Sequence, residues 1–349
     1  MIAPAPSRSP WQRLYAAAHR RREARWRARA EHLSVPVWSV GNLHWGGTGK
    51  TPLVAAIAAW LHQRGEAVAV LSRGYGRRRG GPLVVSDGSG PSLSPEASGD
   101  EPWLLAEQLR GVPVAVAARR ADAARLLLST LERPPTLFLL DDGFSHLRLA
   151  RELDLLVLPA DDPFGGGRLL PSGRLREPLA SAARASALLV SGDGATPELA
   201  REVGAALRAH GFAGPAFASR IAPGRVRRVD GDGHGGEGER PTAPLFLVTA
   251  IAQPHRVRRA AEAAGLSVAG HLALRDHHSY PAATLHAIVR AATAAGAAGV
   301  LTTAKDRVKL AGRLPLPLWE LPVAAVPEPA FWEWLGARRP GRPPAEDAR

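Results

Sequence analysis

Residues 46–51 of the chain read GGTGKT, and such a run can hold phosphate. Where a glycine-rich turn opens a helix, the backbone N–H groups of Gly46, Gly47, Thr48 and Gly49 can converge on phosphate oxygens. The Lys50 ammonium would then meet the β- and γ-phosphates of a nucleotide, and the Thr51 hydroxyl would ligate Mg²⁺. The full pattern G-x-x-x-x-G-K-[ST] wants a glycine where this chain carries His44, and the bulky Trp45 follows it. Context still supports the site. The apolar run VPVWSV (35–40) precedes the turn as a strand, and TPLVAAIAAWL follows it as a helix.

Carboxylates recur at places that suit phosphate chemistry. DDGFSH (141–146) follows the apolar run TLFLL, which sets Asp141 and Asp142 at the end of a buried strand, where a metal ion or an attacking group is held. His146 closes that segment. Asp100, in SGDEPWLLAEQL (98–109), stands just ahead of a helix. Its residue type and position favour a helix cap, with a general base as the alternative. RDHHSYP (275–281) places His277 and His278 beside Asp276 and Tyr280, suiting either a zinc ligand set or histidines that tune a carboxylate. SRGYGRRRG (72–80), with Arg73 and Tyr75, and LLPSGRLREP (169–178), with Arg176 and Glu177, are loops suited to anionic groups.

Composition narrows the class. Only three of the 45 basic residues are lysine: Lys50, Lys305 and Lys309. Where arginine has replaced lysine so widely, a remaining lysine marks a place that needs a compact ammonium. Lys50 lies in GTGKT, and the other two share TTAKDRVKL. The sole asparagine, Asn42, sits at the head of the same glycine-rich turn. The net charge of +13 reads as a solvated basic surface, with no nucleic-acid partner expected. With no cysteine, disulfides and thiolate metal sites are excluded. No apolar run is long enough to span a bilayer, and no secretory h-region opens the chain.

The elements that must position these groups alternate. Strand patterns at 35–40, 67–71, 112–117, 136–140, 154–158, 187–190 and 215–219 are interleaved with helical patterns at 50–64, 101–110, 119–131 and 196–209. That order predicts an α/β fold: a P-loop NTPase-like, mainly parallel sheet flanked by helices. A Gly-rich polar stretch then marks a linker or hinge at 223–243, with a kinase-sized domain (34–222) before it and a smaller α/β domain (244–335) after it. Residues 336–349 read as a frayed tail. Ahead of the first strand, residues 1–33 form a basic amphipathic helix starting at Ser9-Pro10. Its apolar stripe is Trp11, Leu14, Tyr15, Ala18, Trp26, Ala30 and Leu33, and seven arginines lie between positions 13 and 29. Such a helix suits either an anionic membrane surface or docking on the domain.

In order, VGNLHWGGTGKTP, SRGYG, GDEP, DDGFSH, LPSGRLREP, DHHSY and TTAKDRVKL resemble the motifs of tetraacyldisaccharide 4′-kinases, the lipid A biosynthetic kinases of Gram-negative bacteria. The resemblance runs from the N-terminal helix to about residue 310. It implies a two-domain kinase that moves the γ-phosphate of ATP to the 4′-hydroxyl of an acylated glucosamine disaccharide 1-phosphate, giving lipid IVA. It implies ATP as substrate and Mg²⁺ as cofactor, with the lipid reached at the cytoplasmic face of the inner membrane by a peripheral monomer. By the same resemblance Lys50 and Thr51 bind ATP–Mg²⁺, and Asp100 is the base, assisted by His277. Asp141 and Asp142 position Mg²⁺ and phosphate, with Glu177 as a further metal contact. Arg73, Tyr75, Arg120, His146 and Arg176 are substrate candidates. Ser145 stands where the family pattern has Gln, and Ala304 where it has Glu. The competing expectation is a P-loop switch or chaperone ATPase or GTPase, which would not consume ATP in response to lipid.

Overall fold

The structure, a computed structural model, describes residues 10–229, 240–276 and 278–340, together with the backbone of 235–236. By contact density the chain divides into two compact units.

The larger unit carries β1 (Val37–Gly41), β2 (Val68–Ser72), β3 (Leu83–Ser86), β4 (Val114–Val116), β5 (Leu137–Asp141), β6 (Leu153–Pro159), β7 (Ala187–Ser191) and β8 (Ala216–Pro223). Their order in the sheet is β8-β7-β6-β1-β5-β2-β4-β3. All the ladders from β8 to β4 are parallel, and β3 runs antiparallel beside β4. The central strands are short apolar runs buried along their whole length. This is what a sheet covered on both faces requires. The cover comes from α1 (Pro10–Arg27), α2 (Lys50–His62), α3 (Pro95–Ser98), α4 (Asp100–Gln108), α5 (Arg120–Thr130) and α6 (Pro197–Arg208). In α2 the buried residues are Leu53, Val54, Ile57, Ala58 and Leu61, a helical stripe against the sheet. Pro52 sits in the first turn of α2, where its missing N–H costs no hydrogen bond.

The smaller unit, Ala222–Ala324, has its own sheet. It is made of β9 (Arg227–Val229), β10 (Gly235–Gly236), β11 (Leu245–Thr249), β12 (Val268–Ala273), β13 (Gly299–Thr303) and β14 (Leu318–Leu321), in the order β10-β9-β14-β13-β11-β12. β14, β13, β11 and β12 are parallel, and β9 and β10 are antiparallel. Helices α7 (Pro254–Ala263), α8 (Ala282–Ala294) and α9 (Ala304–Leu310) belong to it.

The boundary on the way out falls at Ile221/Ala222, at the edge of the expected 223–243 linker. On the return it differs from expectation. From Ala325 the chain rejoins the larger unit, although residues 325–335 read as part of the smaller domain. There β15 (Val323–Pro327) adds beside β8, and α10 (Pro329–Gly336) packs on α2. The cause is aromatic: Trp332 stacks on Trp60 at 5.3 Å between ring centroids, and Phe331 meets Phe217 edge-on at 5.6 Å. Nothing in the local pattern of PAFWEWL names its distant partners. Residues 341–349 of the expected tail lie outside the described residues.

Helix α1 also departs from the expected stripe. Tyr15 and Ala16 pack on the domain, Trp26 is covered by the Arg148 guanidinium at 3.8 Å, and Gln12 and His19 are buried. Trp11 and Leu14 face outward. Among the described residues no helix is long and apolar enough to cross a membrane.

Candidate active site

The carboxyl ends of parallel strands are where α/β sheets present their ligand-contacting loops. β1 ends at Gly41, β2 at Ser72 and β5 at Asp141. β5 lies between β1 and β2, with Val40 opposite Asp141. The glycine-rich turn, the acidic pair and the SRGYG loop therefore leave the sheet side by side.

The turn 42–49 is braced from within and from outside. Asn42 Nδ2 donates to Thr48 Oγ1 at 2.8 Å, away from water. Gly49 has φ +80°, and a Cβ there would lie 2.7 Å from Ser191 Oγ. Conformation and space both demand glycine at that position. His44, in place of the missing glycine, is buried and turned away from the turn. Its Nε2 lies 3.0 Å from the Asp162 carbonyl oxygen, which can only accept, so Nε2 carries the hydrogen. Burial brings the His44 pKa down to about 4, leaving the ring neutral. Segments 43–45 and 174–176 pair as antiparallel backbone, with Trp45 N donating to Arg174 O and Arg176 N to Leu43 O, both at 2.8 Å. His44 thus ties the turn to the loop carrying Arg176, while the Trp45 side chain is 67% exposed.

Asp142 is the centre of a charge network. Lys50 Nζ lies 3.5 Å from its Oδ1. Arg176 grips the same carboxylate with both terminal nitrogens, at 2.6 and 3.2 Å, and also donates to Asn42 Oδ1 at 2.8 Å. Burial opposes ionisation of Asp142, but Lys50, Arg176 and Arg120 outweigh it and hold the carboxyl well below the usual range. Its backbone is left-handed, φ +52°, a conformation few non-glycine residues adopt.

Asp141 behaves in the opposite way. It is fully buried, and burial, followed by the charges of Glu101 and Asp142, raises its pKa to about 7. Its Oδ2 accepts a 3.3 Å hydrogen bond from Ser72 Oγ, and Oδ1 has no hydrogen-bond partner. Two adjacent carboxylates are thus divided into a fixed anion and a group that titrates near neutrality. Arg120, buried at the start of α5, is lowered by burial to about 10 and stays protonated beside both aspartates. Burial, reinforced by Arg120, Arg151 and Arg148, takes His146 down to about 3, so that ring is neutral too.

Asp100 is the first residue of α4, and the N-cap is Gly99, φ +95°, so the cap falls one residue before the aspartate. A Cβ on Gly99 would lie 3.1 Å from the Tyr75 carbonyl oxygen, and one on Gly74 2.8 Å from the Ser98 carbonyl oxygen. The SRGYG and GDEP segments therefore touch backbone to backbone, with Tyr75 and Arg73 exposed. Glu177 does not join the Asp142 network. Its carboxylate accepts from Arg184 at 2.5 Å and from Ser145 Oγ, and lies 3.6 Å from His19. Despite burial, Arg184 and Ser145 keep its pKa low.

In the smaller unit the TTAKDRVKL segment caps itself. Thr303 Oγ1 accepts from Asp306 N at 3.2 Å, and Asp306 Oδ2 accepts from Ala250 N and Thr303 Oγ1, both at 2.9 Å. Lys305 Nζ lies 3.3 Å from Asp276. His277 lies outside the described residues. Tyr280, buried with φ +54°, donates its N–H to His278 Nδ1 at 2.9 Å. Among the described residues no group of three or more His, Asp or Glu could hold a metal ion by itself. Sequence reasoning left out Asn42 and Glu101 as site residues. For Asn42 the signal was its being the sole asparagine, and for Glu101 there was none short of the fold.

The family model for tetraacyldisaccharide-1-P 4′-kinase matches residues 7–339. The tetraacyldisaccharide 4′-kinase of Anaeromyxobacter dehalogenans (strain 2CP-C) is 43% identical over 287 residues, covering 80% of this chain and 74% of that one. That of Chromobacterium violaceum is 37% identical over 337 residues, covering 93% and 90%. A crystal structure of the "apo" form of LpxK from Aquifex aeolicus in complex with ATP superimposes with a TM-score of 0.70 at 30% identity, covering 93% of this chain and 95% of that one.

Proposed function

The chain belongs to the tetraacyldisaccharide 4′-kinase family, and from that premise we propose how its own residues carry ATP-dependent phosphorylation of the 4′-hydroxyl of a tetraacyldisaccharide 1-phosphate. The observation that carries the assignment is the Lys50–Asp142–Arg176 network beside Asp141, at the mouth of the turn that Asn42 and Gly49 hold in shape.

The N–H groups of residues 46–50 cradle the phosphates of ATP, and Lys50 neutralises charge on the γ-phosphate. Thr51, Asp142 and the unpartnered Oδ1 of Asp141 fit a Mg²⁺ ion that takes its other ligands from phosphate and water, as this ion commonly does. When bound, Mg²⁺ would screen the phosphate oxygens and stabilise charge on the leaving ADP. Asp100 takes the proton of the 4′-hydroxyl as its oxygen attacks the γ-phosphorus; the bond to the β-phosphate oxygen breaks and ADP leaves. Arg120, charged and buried beside both aspartates, offsets negative charge on the phosphoryl group as it moves to the 4′-oxygen, and Arg73, Tyr75 and neutral His146 are further candidates for contacting the substrate. Glu177, paired with Arg184, is assigned no metal contact. The outward edge of α1, with Trp11, Leu14 and neighbouring arginines, brings the enzyme to the cytoplasmic face of the inner membrane.

The test is direct. The protein in detergent is incubated with γ-labelled ATP, Mg²⁺ and the disaccharide 1-phosphate lipid, and a bisphosphorylated lipid is expected. Asp100→Ala should lose turnover by about 10²- to 10⁴-fold with ATP binding intact. Near-wild-type turnover in that variant would remove Asp100 from the base role.

A further inference from the structure

Helix α1 seats Tyr15 and Ala16 on the domain, buries His19 beside them, and leaves Trp11 and Leu14 exposed. Tyr15, His19 and Glu23 are spaced four residues apart and share one face. Each reaches a segment that borders the nucleotide turn. Tyr15 OH donates to the Arg176 carbonyl oxygen at 3.2 Å. His19 Nε2 lies 3.6 Å from Glu177 Oε2. Glu23 Oε1 accepts from Arg184 at 3.2 Å, and the same guanidinium donates to the Phe144 carbonyl oxygen at 3.0 Å.

Phe144 and Arg176 are not incidental end points. Phe144 follows the acidic pair in sequence and presses on the end of β1; a Cβ on Gly41 would lie 2.4 Å from Phe144 Cβ. Arg176 is the residue that grips Asp142 and Asn42 together. The two walls of the Lys50–Asp142 pair are thus each tied to α1, one through Tyr15 and one through Glu23 and Arg184. Burying polar side chains is costly unless each finds a partner. A helix whose whole task was to carry the chain to a surface would have no use for three such partnerships. Trp11, one turn ahead of Tyr15, and Leu14 are 54% and 63% exposed at the start of the same helix.

We propose that α1 is a positioning element of the nucleotide site: Tyr15 and Glu23 hold the Arg176 loop and the DDGF turn in the register that phosphoryl transfer needs. The inference rests on the Arg176–Asp142 network being part of the kinase site. Leu14 takes part in none of these contacts, so anchoring and positioning are separable by substitution.

Separation is read with the full chain and detergent-dispersed lipid, so that membrane partition plays no part. Tyr15→Phe removes one hydroxyl and should lower kcat by about 3- to 10-fold, the worth of one hydrogen bond. In an Arg176→Ala background the same substitution should cost nothing further, because its route of action is gone. Leu14→Ala should leave detergent kcat unchanged and weaken partition onto anionic vesicles. An equal loss from Tyr15→Phe in both backgrounds would overturn the proposal, since Tyr15 would then act through general stability. The same double-substitution cycle is run on ATP affinity, which needs no lipid substrate. Non-additivity there with no lipid phosphorylation by the wild type would count against the kinase assignment and uphold the positioning role. Wild-type phosphorylation with additive losses would count against positioning alone.

Discussion

Asp141 ends the buried parallel strand β5 of one unit, Asp306 lies in the first turn of the helix that follows β13 in the other, and burial raises the pKa of both. Their partners differ. Asp141 feels the charges of Glu101, Asp142, Lys50 and Arg120, yet only one of its oxygens accepts a hydrogen bond. Asp306 is consumed by its own surroundings, closing the start of α9 and holding the backbone at Ala250. The neighbouring ion pairs follow suit. Lys50–Asp142–Arg176 is half-open, with the Asp142 side chain 40% exposed, whereas Arg307–Glu320 is sealed, with Arg227 closing it from outside. A rare lysine and an aspartate after a strand look alike in sequence. What separates a binding site from a clamp is whether coordination capacity is left over.

That contrast can be broken most decisively at the lysines. Lys50→Ala should cut lipid phosphorylation by about 10²- to 10³-fold, as loss of a transition-state donor does. Lys305→Ala removes a contact to Asp276 and should cost far less in the same assay. Comparable losses would erase the distinction. Next comes Glu320→Gln, which takes away the buried carboxylate that Arg307 and Arg227 share. Denaturant unfolding should register a loss of about 3–5 kcal/mol.

Proton linkage sharpens the comparison further. In the folded protein Asp141 holds its proton up to about pH 7, against an ordinary value of 3.8. Its favourable contribution is complete below the ordinary value and is lost as pH rises through about 7. Asp141→Asn should therefore flatten the fall in stability across that window, followed by denaturation at a series of pH values. Binding of Mg²⁺ and ATP near neutral pH should release a proton from the wild type, seen as buffer-dependent heat in calorimetry. Asp141→Asn should abolish that release and Asp306→Asn should leave it. The smallest effect belongs to Trp45→Ala, which should change stability by less than about 0.5 kcal/mol because the ring is largely solvated.

The parts legible from sequence were those encoded locally. GTGKT with its flanking strand and helix, the strand–helix alternation and the DDGF turn all read correctly, because periodicity and turn chemistry belong to adjacent residues. What escaped depended on distant partners. His44 looked like a defect in a phosphate motif; its ring serves the Asp162 carbonyl, and its backbone neighbours pair with residues 174–176. Of the stripe read on α1, Tyr15 does seat the helix, but Trp11 and Leu14 stay exposed, and the further contacts come from His19 and Glu23, outside that stripe. Glu177 carried the residue type of a metal ligand, and only the fold shows Arg184 and Ser145 taking its oxygens.

The return of the chain at Ala325 has a consequence in time. β8 and the Trp60 face of α2 are synthesised before the smaller unit, and β15 and α10, which cover them, after it. Throughout translation of that insert the nascent larger sheet carries an unpaired edge and a bare aromatic surface. Such edges recruit other strands. The interval is set by the length of the insert, so lengthening it would prolong the hazard without touching a single native contact.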